Sequence, residues 1–142
     1  GGECQFDVTA AGLNLAELIL TTRVTESPFA PSDTTRMDIR AVLHPEKIPK
    51  SPLGDLLALT GATLPPEVFA QQSGSQIAIS LTSLISDVLK SETVGDLPSS
   101  TIALLNSTEP GPLGFASFDG LEDAGAPVLR LVLTLAAKVS LP

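Results

Sequence analysis

The sequence predicts an α+β domain that is mainly antiparallel β and β-sandwich-like, with a helical insertion around residues 51–91. Two observations predict the sheets: apolar and polar residues alternate near both ends of the chain, and Gly or Pro residues interrupt the alternation. The third observation is the helical spacing of apolar residues in the middle, which predicts the insertion. Because the chain has 142 residues, we expect residues 1–142 to fold as a single domain.

Alternation near the N-terminus predicts strands over 5–11 and 13–25, with Gly12 between them. A Gly between two registers suits a bulge or a tight bend, so one bent strand is equally compatible with the pattern. A short helix over 15–20 is the alternative for the second segment. A further strand is predicted over 37–43, where apolar residues share one face and charged residues the other.

Three segments of the middle have helical signals. Ser51 fits an N-cap, Pro52 fits the first helical position, and Gly61 fits the stop of a first helix. A second, short helix is predicted over 66–71. Residues 76–91 fit both periods, but six apolar positions match a helical stripe against three that match a strand. We therefore expect a helix with an extended start there.

The C-terminal part contains the clearest strand signal. Short strands are predicted over 101–105 and 114–118, and apolar residues then occupy every second position over 129–141. We expect the odd-numbered residues of this last strand to face the core, because a slip by one residue would bury Arg130 and Lys138. A straight strand of this length would span roughly 43 Å. It must therefore cross a whole sheet, bend, or pair with something outside the chain.

The charge balance excludes several classes of partner. Sixteen acidic and eight basic residues give a net charge of −8, which repels phosphate groups, so we expect no binding to nucleic acid or to anionic membrane surfaces. The apolar runs are too short and too interrupted to cross a bilayer, so no transmembrane segment is expected. Tyr and Trp are absent, which disfavours carbohydrate sites and small recognition patches built on these aromatic residues.

Residues able to carry catalysis are few. His44 is the only histidine and precedes Pro45 at a predicted strand end, so we expect a surface residue whose replacement leaves any activity unchanged. Cys4 is the only cysteine, which excludes an internal disulfide and argues against a zinc site. The sequence also has no Gly-rich phosphate loop. It therefore predicts no catalytic, cofactor-binding or metal-binding residues, and no cofactor.

Two further motifs have alternative interpretations. Asp119, Glu122 and Asp123 place three carboxylates in one loop, but their spacing matches no calcium-binding EF-hand loop, which favours a solvated acidic loop. The triplet that begins at Asn106 is a glycosylation sequon at a predicted turn. It has a meaning only if the chain is exported through a glycosylating pathway.

These observations favour a non-catalytic, extracytoplasmic structural or self-assembling subunit of a filament, pilus or surface protein, with strand-mediated contacts between subunits. We expect self-association or another protein as partner, and an extracellular or cell-surface location. The alternative is a carrier of an apolar ligand such as a lipid. The residues expected to line its lid are Leu56, Leu57, Leu84 and Leu89. A small enzyme of unknown type is the second alternative.

Overall fold

Antiparallel strands make up most of the structure. The computed structural model describes residues 8–26, 28–56, 62–70, 74–90, 101–107 and 115–134. Within these ranges the chain forms seven strands in two sheets and one α-helix. In chain order the elements are β1 Leu13–Thr21, β2 Thr35–Val42, β3 Leu53–Leu56, β4 Ala62–Leu64, β5 Gln76–Ser80, α1 Thr82–Lys90, β6 Ile102–Asn106 and β7 Val128–Leu133. Short 3-10 helices cover Ala10–Gly12, Pro45–Lys47 and Pro66–Phe69.

The first sheet has β1 at its centre, in the order β5-β1-β7, with both pairs antiparallel. Glu17 of β1 pairs with Ser80 on one side and with Arg130 on the other. The even-numbered residues Ala16 and Leu20 are buried, because alternate residues of a strand point to opposite faces and this face meets the core. β1 therefore fixes the position of every other strand in its sheet.

The second sheet is built around β2. β3 and β4 lie along one edge of β2 and β6 lies along the other, all antiparallel. Met37 of β2 pairs with Ala62 of β4 on one side and with Asn106 of β6 on the other. Since the odd-numbered face of β2 is buried and its even-numbered charged residues are not, the alternation of this segment matches its position.

The core lies where side chains of the two sheets meet. Leu20 and Ile79 of the first sheet pack with Ile39 of the second, and all three are buried. A neighbouring cluster consists of Met37, Leu64 and Phe69. Phe118 contacts both clusters, and its ring lies 6.0 Å from that of Phe69 at an angle of 69°. Such an edge-on arrangement is favourable for aromatic rings, and it joins the two clusters into one apolar interior.

The α-helix packs against β1 and is tied to it at its first turn. The Ala16 N–H donates to the Thr82 hydroxyl at 3.0 Å, and the Leu81 N–H donates to the Ala16 carbonyl at 2.8 Å. Leu84 and Ile85, which follow at helical spacing, contact the core. In the ranges described above, no helix has the length and apolar character that a membrane span requires.

A buried hydroxyl fixes the end of β1. Thr22 is buried, and its hydroxyl donates to the Val68 carbonyl at 2.6 Å and accepts the Ser75 N–H at 2.8 Å. Gly74 precedes Ser75 and lets the chain approach Thr22. Its φ of 69° favours glycine, and a Cβ at this residue would lie 2.5 Å from the Thr22 carbonyl oxygen. Thr22 also forms a β-bridge with Phe118. One threonine thus joins three distant segments to the first sheet.

The predicted helix over 51–61 is wrong for the residues that the structure describes. Leu53–Leu56 is β3 instead, and Leu53 pairs with Val42 of β2. A helix of this length is marginal because its nucleation is costly, whereas pairing with the edge of β2 satisfies backbone groups directly. Residues 57–61 of that predicted helix lie outside the described ranges.

The remainder of the insertion predicted around 51–91 is only partly helical. The short helix predicted over 66–71 is a 3-10 helix that ends at Phe69. The expectation for 76–91, a helix with an extended start, is confirmed over 76–90, where β5 is followed after Leu81 by α1. Residue 91 lies outside the described ranges. The predicted helical insertion is therefore interrupted by β3, β4 and β5, since strand pairing with the existing sheets outweighs local helix signals in those segments.

Among the other strand predictions, those over 37–43 and 101–105 are confirmed by β2 and β6. The strand predicted over 13–25 is confirmed as far as Thr21, where β1 ends, and residues 23–25 are not part of it. The alternative of a helix over 15–20 is wrong, because pairing on both edges of β1 holds that segment extended. The strand predicted over 5–11 is not formed by residues 8–11, where a 3-10 helix begins instead.

Two predicted segments reach beyond the described ranges. Residues 5–7 of the first predicted strand and residue 114 of the strand predicted over 114–118 lie outside them. The described part of the latter segment is reduced to the bridge between Thr22 and Phe118.

Replacing Thr22 by Val should lower the free energy of unfolding by about 1–3 kcal/mol. The shape of the side chain is kept, but the Val68 carbonyl and the Ser75 N–H lose their hydroxyl partner in a buried place. Urea denaturation measures the difference. Thr63→Val on the exposed face of β4 is the matched control, with an expected change within about 0.5 kcal/mol. Equal losses in the two variants would contradict the assigned role of the buried hydroxyl.

Candidate functional site

β7 is an edge strand of the first sheet. It pairs with β1 through a ladder that runs from Leu13 opposite Leu133 to Ile19 opposite Val128. Among the described residues, its other edge has no strand partner. An open edge presents unpaired N–H and C=O groups, which form a template for the addition of another strand.

The odd-numbered residues of β7 lie on the core side of the sheet, as the sequence predicts. Leu131 pairs with Ala16 and Leu129 pairs with Leu18, and residues opposite each other in a ladder point to the same face. Their predicted burial is wrong, because Leu129 remains 48% and Leu131 38% exposed. The buried clusters draw on β1, β2, β4 and β5 but not on β7, so the core ends before it reaches this strand. Residues 135–141 of the predicted long strand lie outside the described ranges.

The opposite face of β7 is apolar as well. Val128 is 55% and Val132 44% exposed, and they pair with Ile19 and Leu15 of β1, which are half-buried. Sheets with one solvated face normally carry polar residues on that face. β7 instead presents exposed aliphatic side chains on both of its faces.

One charged residue interrupts this apolar surface. Arg130 forms an ion pair with Glu17, its partner across the ladder, and the Arg130 Nε donates to the Glu17 Oε2 at 3.0 Å. The contact turns the guanidinium inward, toward β1. It therefore leaves the outer edge of β7 without a charge that would repel an incoming strand, the usual protection of such edges.

The backbone hydrogen bonds show which groups face the open edge. The Thr134 N–H donates to the Gly12 carbonyl at 2.8 Å, so Thr134 points its N–H toward the β1 side. Successive residues of an antiparallel strand point their N–H groups to opposite edges. The register shift of this ladder lies on β1, between Leu13 and Leu15, so the alternation along β7 is regular. The odd-numbered residues of β7 therefore direct their N–H and C=O groups to the open edge.

Gly12 has a steric role at this contact. A Cβ at Gly12 would lie 2.9 Å from the Thr134 carbonyl oxygen, so only glycine allows the two backbones to approach this closely. The sequence indicated a bend at Gly12, and the structure adds that this residue contacts the backbone of Thr134 at the end of β7.

The acidic loop is organised around an arginine. The Arg23 guanidinium lies 3.6 Å from the Asp119 carboxylate and 3.2 Å from that of Asp123, which also accepts the Gly120 N–H at 2.7 Å. Glu122 is exposed. Because the Arg23 guanidinium already pairs with two of the three carboxylates, the loop is better suited to structural ion pairs than to calcium. In the described parts of the chain, no group of three or more His, Cys, Asp or Glu residues is arranged to hold a metal ion.

The remaining sequence-predicted residues are dispersed. The exposed His44 ring lies 3.2 Å from the Glu46 carboxylate, and its backbone N–H donates to the Ser51 hydroxyl at 2.9 Å. Asn106 is half-buried and pairs with the buried Met37, so the sequon asparagine shares the core-facing side of its sheet. Cys4 lies outside the described ranges.

A shallow cleft is not lined by Leu84 or Leu89, the two predicted lid leucines whose side chains the structure describes. The cleft has a volume of about 260 Å³, slightly less than the ~300–1,000 Å³ of typical ligand pockets. Its lining residues are Thr25, Ala30, Pro31, Pro66, Glu67, Phe69 and Ala70. Leu84 instead packs into the core, Leu89 is half-buried on α1, and Leu57 lies outside the described ranges. The exposed surface of β7 is therefore the feature best suited to binding.

Comparison of the chain with protein-family models, with curated proteins and with solved structures found no match.

Shortening a leucine side chain of β7 should lower the stability of the isolated chain only slightly. Leu131→Ala is expected to lower the free energy of unfolding by about 1 kcal/mol or less, because the side chain is already partly in water. Ile39→Ala in the buried core should cost about 2–5 kcal/mol. Chemical denaturation of dilute protein compares the two. A loss at Leu131 as large as that at Ile39 would show that β7 is buried by its own chain.

Proposed function

We propose that the chain is a non-catalytic, extracytoplasmic structural subunit that self-assembles through strand-mediated contacts of β7. The observation that carries the proposal is the exposure of aliphatic side chains on both faces of this edge strand. Folded chains normally protect such an edge with charges, prolines or bulges, because an unprotected edge pairs with other strands. Within Val128–Leu133 the only charged residue is Arg130, and Glu17 engages it.

Addition of a strand accounts for this surface better than the docking of a flat partner. A flat partner would cover one face of β7 and leave the aliphatic residues of the other face in water. A paired strand extends the sheet and covers the flanks of both faces, while its backbone satisfies the N–H and C=O groups of the edge. Val128 and Val132 on one face, and Leu129 and Leu131 on the other, are then shielded together.

The rest of the domain suits a scaffold that holds this edge in place. In the proposed subunit the two sheets stack as a β-sandwich, with β1 carrying β7 on the rim of the first sheet. Buried Ala16 and Leu20 hold β1 against the core. β7 is then presented in a fixed register, as contacts repeated between identical subunits require.

The proposed setting is a filament, a pilus or a surface layer, outside the cell or at its surface. This part of the proposal is supported by the sequence alone: a single histidine, a single cysteine and an acidic charge balance of −8. These features offer little for catalysis at the protein surface, and the net negative charge keeps subunits soluble before they assemble.

Leu131→Lys should abolish self-association while the subunit stays folded. A lysine on the edge strand would place an ammonium group where the incoming strand must pack, yet the partly exposed position lets that group reach water in the monomer. Sedimentation velocity over a series of protein concentrations measures the mass of the particle, and circular dichroism checks the fold. We expect the unmodified chain to grow in mass with concentration and the variant to remain a monomer.

Leu121→Lys is the matched control, because Leu121 is 81% exposed in the loop before β7 and lies outside the strand. This variant should associate like the unmodified chain. If the unmodified chain stays monomeric at every concentration, or if both lysine variants associate normally, the proposal is wrong.

A further inference from the structure

We propose that the strand that pairs with β7 is β7 of a second copy, antiparallel to it about a two-fold axis at Leu131. The inference rests on the proposed function, in which β7 mediates assembly, and it names the partner. It follows from three properties of the strand: the direction of its backbone groups, the symmetry of its side-chain pattern and the position of its one charge.

The backbone restricts the possible registers. Because the Thr134 N–H points toward β1, the odd-numbered residues present their hydrogen-bonding groups to the open edge. Two copies related by a two-fold axis must therefore place odd-numbered residues opposite odd-numbered ones. This condition centres the axis on a single residue and excludes every register that sets an odd residue opposite an even one. A register that sets odd-numbered residues opposite even-numbered ones would also place the core-side residues of one copy opposite residues that point to the other face of the sheet.

The charge of Arg130 distinguishes between two neighbouring registers, one with the axis at Arg130 and one with the axis at Leu131. An axis at Arg130 would set this residue directly opposite its copy, in a pair without backbone hydrogen bonds, where side chains lie closest. Like charges in that position are destabilising. An axis at Leu131 instead sets Arg130 opposite Val132, and each arginine keeps the Glu17 of its own chain as ion-pair partner.

The side-chain pattern is self-complementary about Leu131. In this register Leu131 faces its own copy, Leu129 faces Leu133, and Val128 faces Thr134. All described residues of the segment 128–134 are then paired, and three pairs of odd-numbered residues exchange backbone hydrogen bonds. The leucines of both copies form one continuous row on the core side of the sheet, which removes the exposed surface of Leu129 and Leu131 from water.

The product is a closed dimer. Joining the two open edges makes a continuous sheet of six strands, β5-β1-β7 followed by β7-β1-β5 of the second copy. A two-fold contact uses the same surface on both subunits and therefore stops after two. The dimer is then the building block of any larger assembly, so a chain that cannot pair through β7 stays a monomer.

Cysteine cross-linking tests the register. Cys4, the only native cysteine, is replaced by Ser, and Leu129→Cys, Leu131→Cys and Leu133→Cys are made separately in that background. Opposed residues with exchanged hydrogen bonds have Cα atoms about 5.5 Å apart, within the ~4.4–6.8 Å range that a disulfide spans. Two copies of residue 129, or of residue 133, would lie four positions apart along the strands, about 14 Å.

On mild oxidation, Leu131→Cys should give a disulfide-linked dimer at least ten times faster than Leu129→Cys or Leu133→Cys alone. An equimolar mixture of the last two variants should cross-link as mixed dimers. Efficient linking of Leu129→Cys to itself, or associated protein in which Leu131→Cys does not link, would overturn the register but leave self-assembly through β7 standing. A chain that sediments as a monomer throughout would overturn both the register and the proposed function.

Discussion

The ladder between β1 and β7 is the interaction on which the rest of the surface chemistry depends. β1 is paired on both edges and carries the buried Ala16 and Leu20, so its position is fixed from all sides. Within the described part of the chain, β7 is held by this ladder and by the ion pair between Arg130 and Glu17. Because the core stops at β1, the aliphatic residues of β7 are ordered by backbone pairing without being covered. An ordered, uncovered strand is what a partner needs, since little conformational entropy is lost when it binds.

The buried hydroxyl of Thr22 holds the end of β1, the strand that carries the ladder. Its hydrogen bonds to Val68 and Ser75 tie the end of β1 to the segment between β4 and β5. The bridge to Phe118 anchors the segment that leads into β7. The ion pairs of Arg23 with Asp119 and Asp123 hold the acidic loop in place. They give this cluster of carboxylates a structural role, where the sequence had also allowed calcium binding. These polar contacts hold the loop that precedes β7 next to the end of β1.

The strands β1, β2, β6 and β7 were predictable from the sequence, because the period of two reports directly which residues share a face, whereas β3 and β4 were not. The same period correctly placed Leu129 and Leu131 on the core side. It was wrong about their burial, since alternation within one strand contains no information on how far the buried core extends. The helix expected over 51–61 failed for a related reason. Capping signals at Ser51 and Pro52 are local, whereas the pairing of Leu53 with Val42 is a long-range contact that a single sequence does not reveal.

The central claim is that the open edge of β7 binds another strand, and amide hydrogen exchange measured residue by residue tests it most directly. In dilute protein, the N–H groups of Leu129, Leu131 and Leu133 should exchange rapidly, while those of Arg130 and Val132 are protected by β1. At high concentration the odd-numbered amides should become protected as well, with no change at the even-numbered ones. Odd-numbered amides that exchange at the same rate at all concentrations would contradict the account.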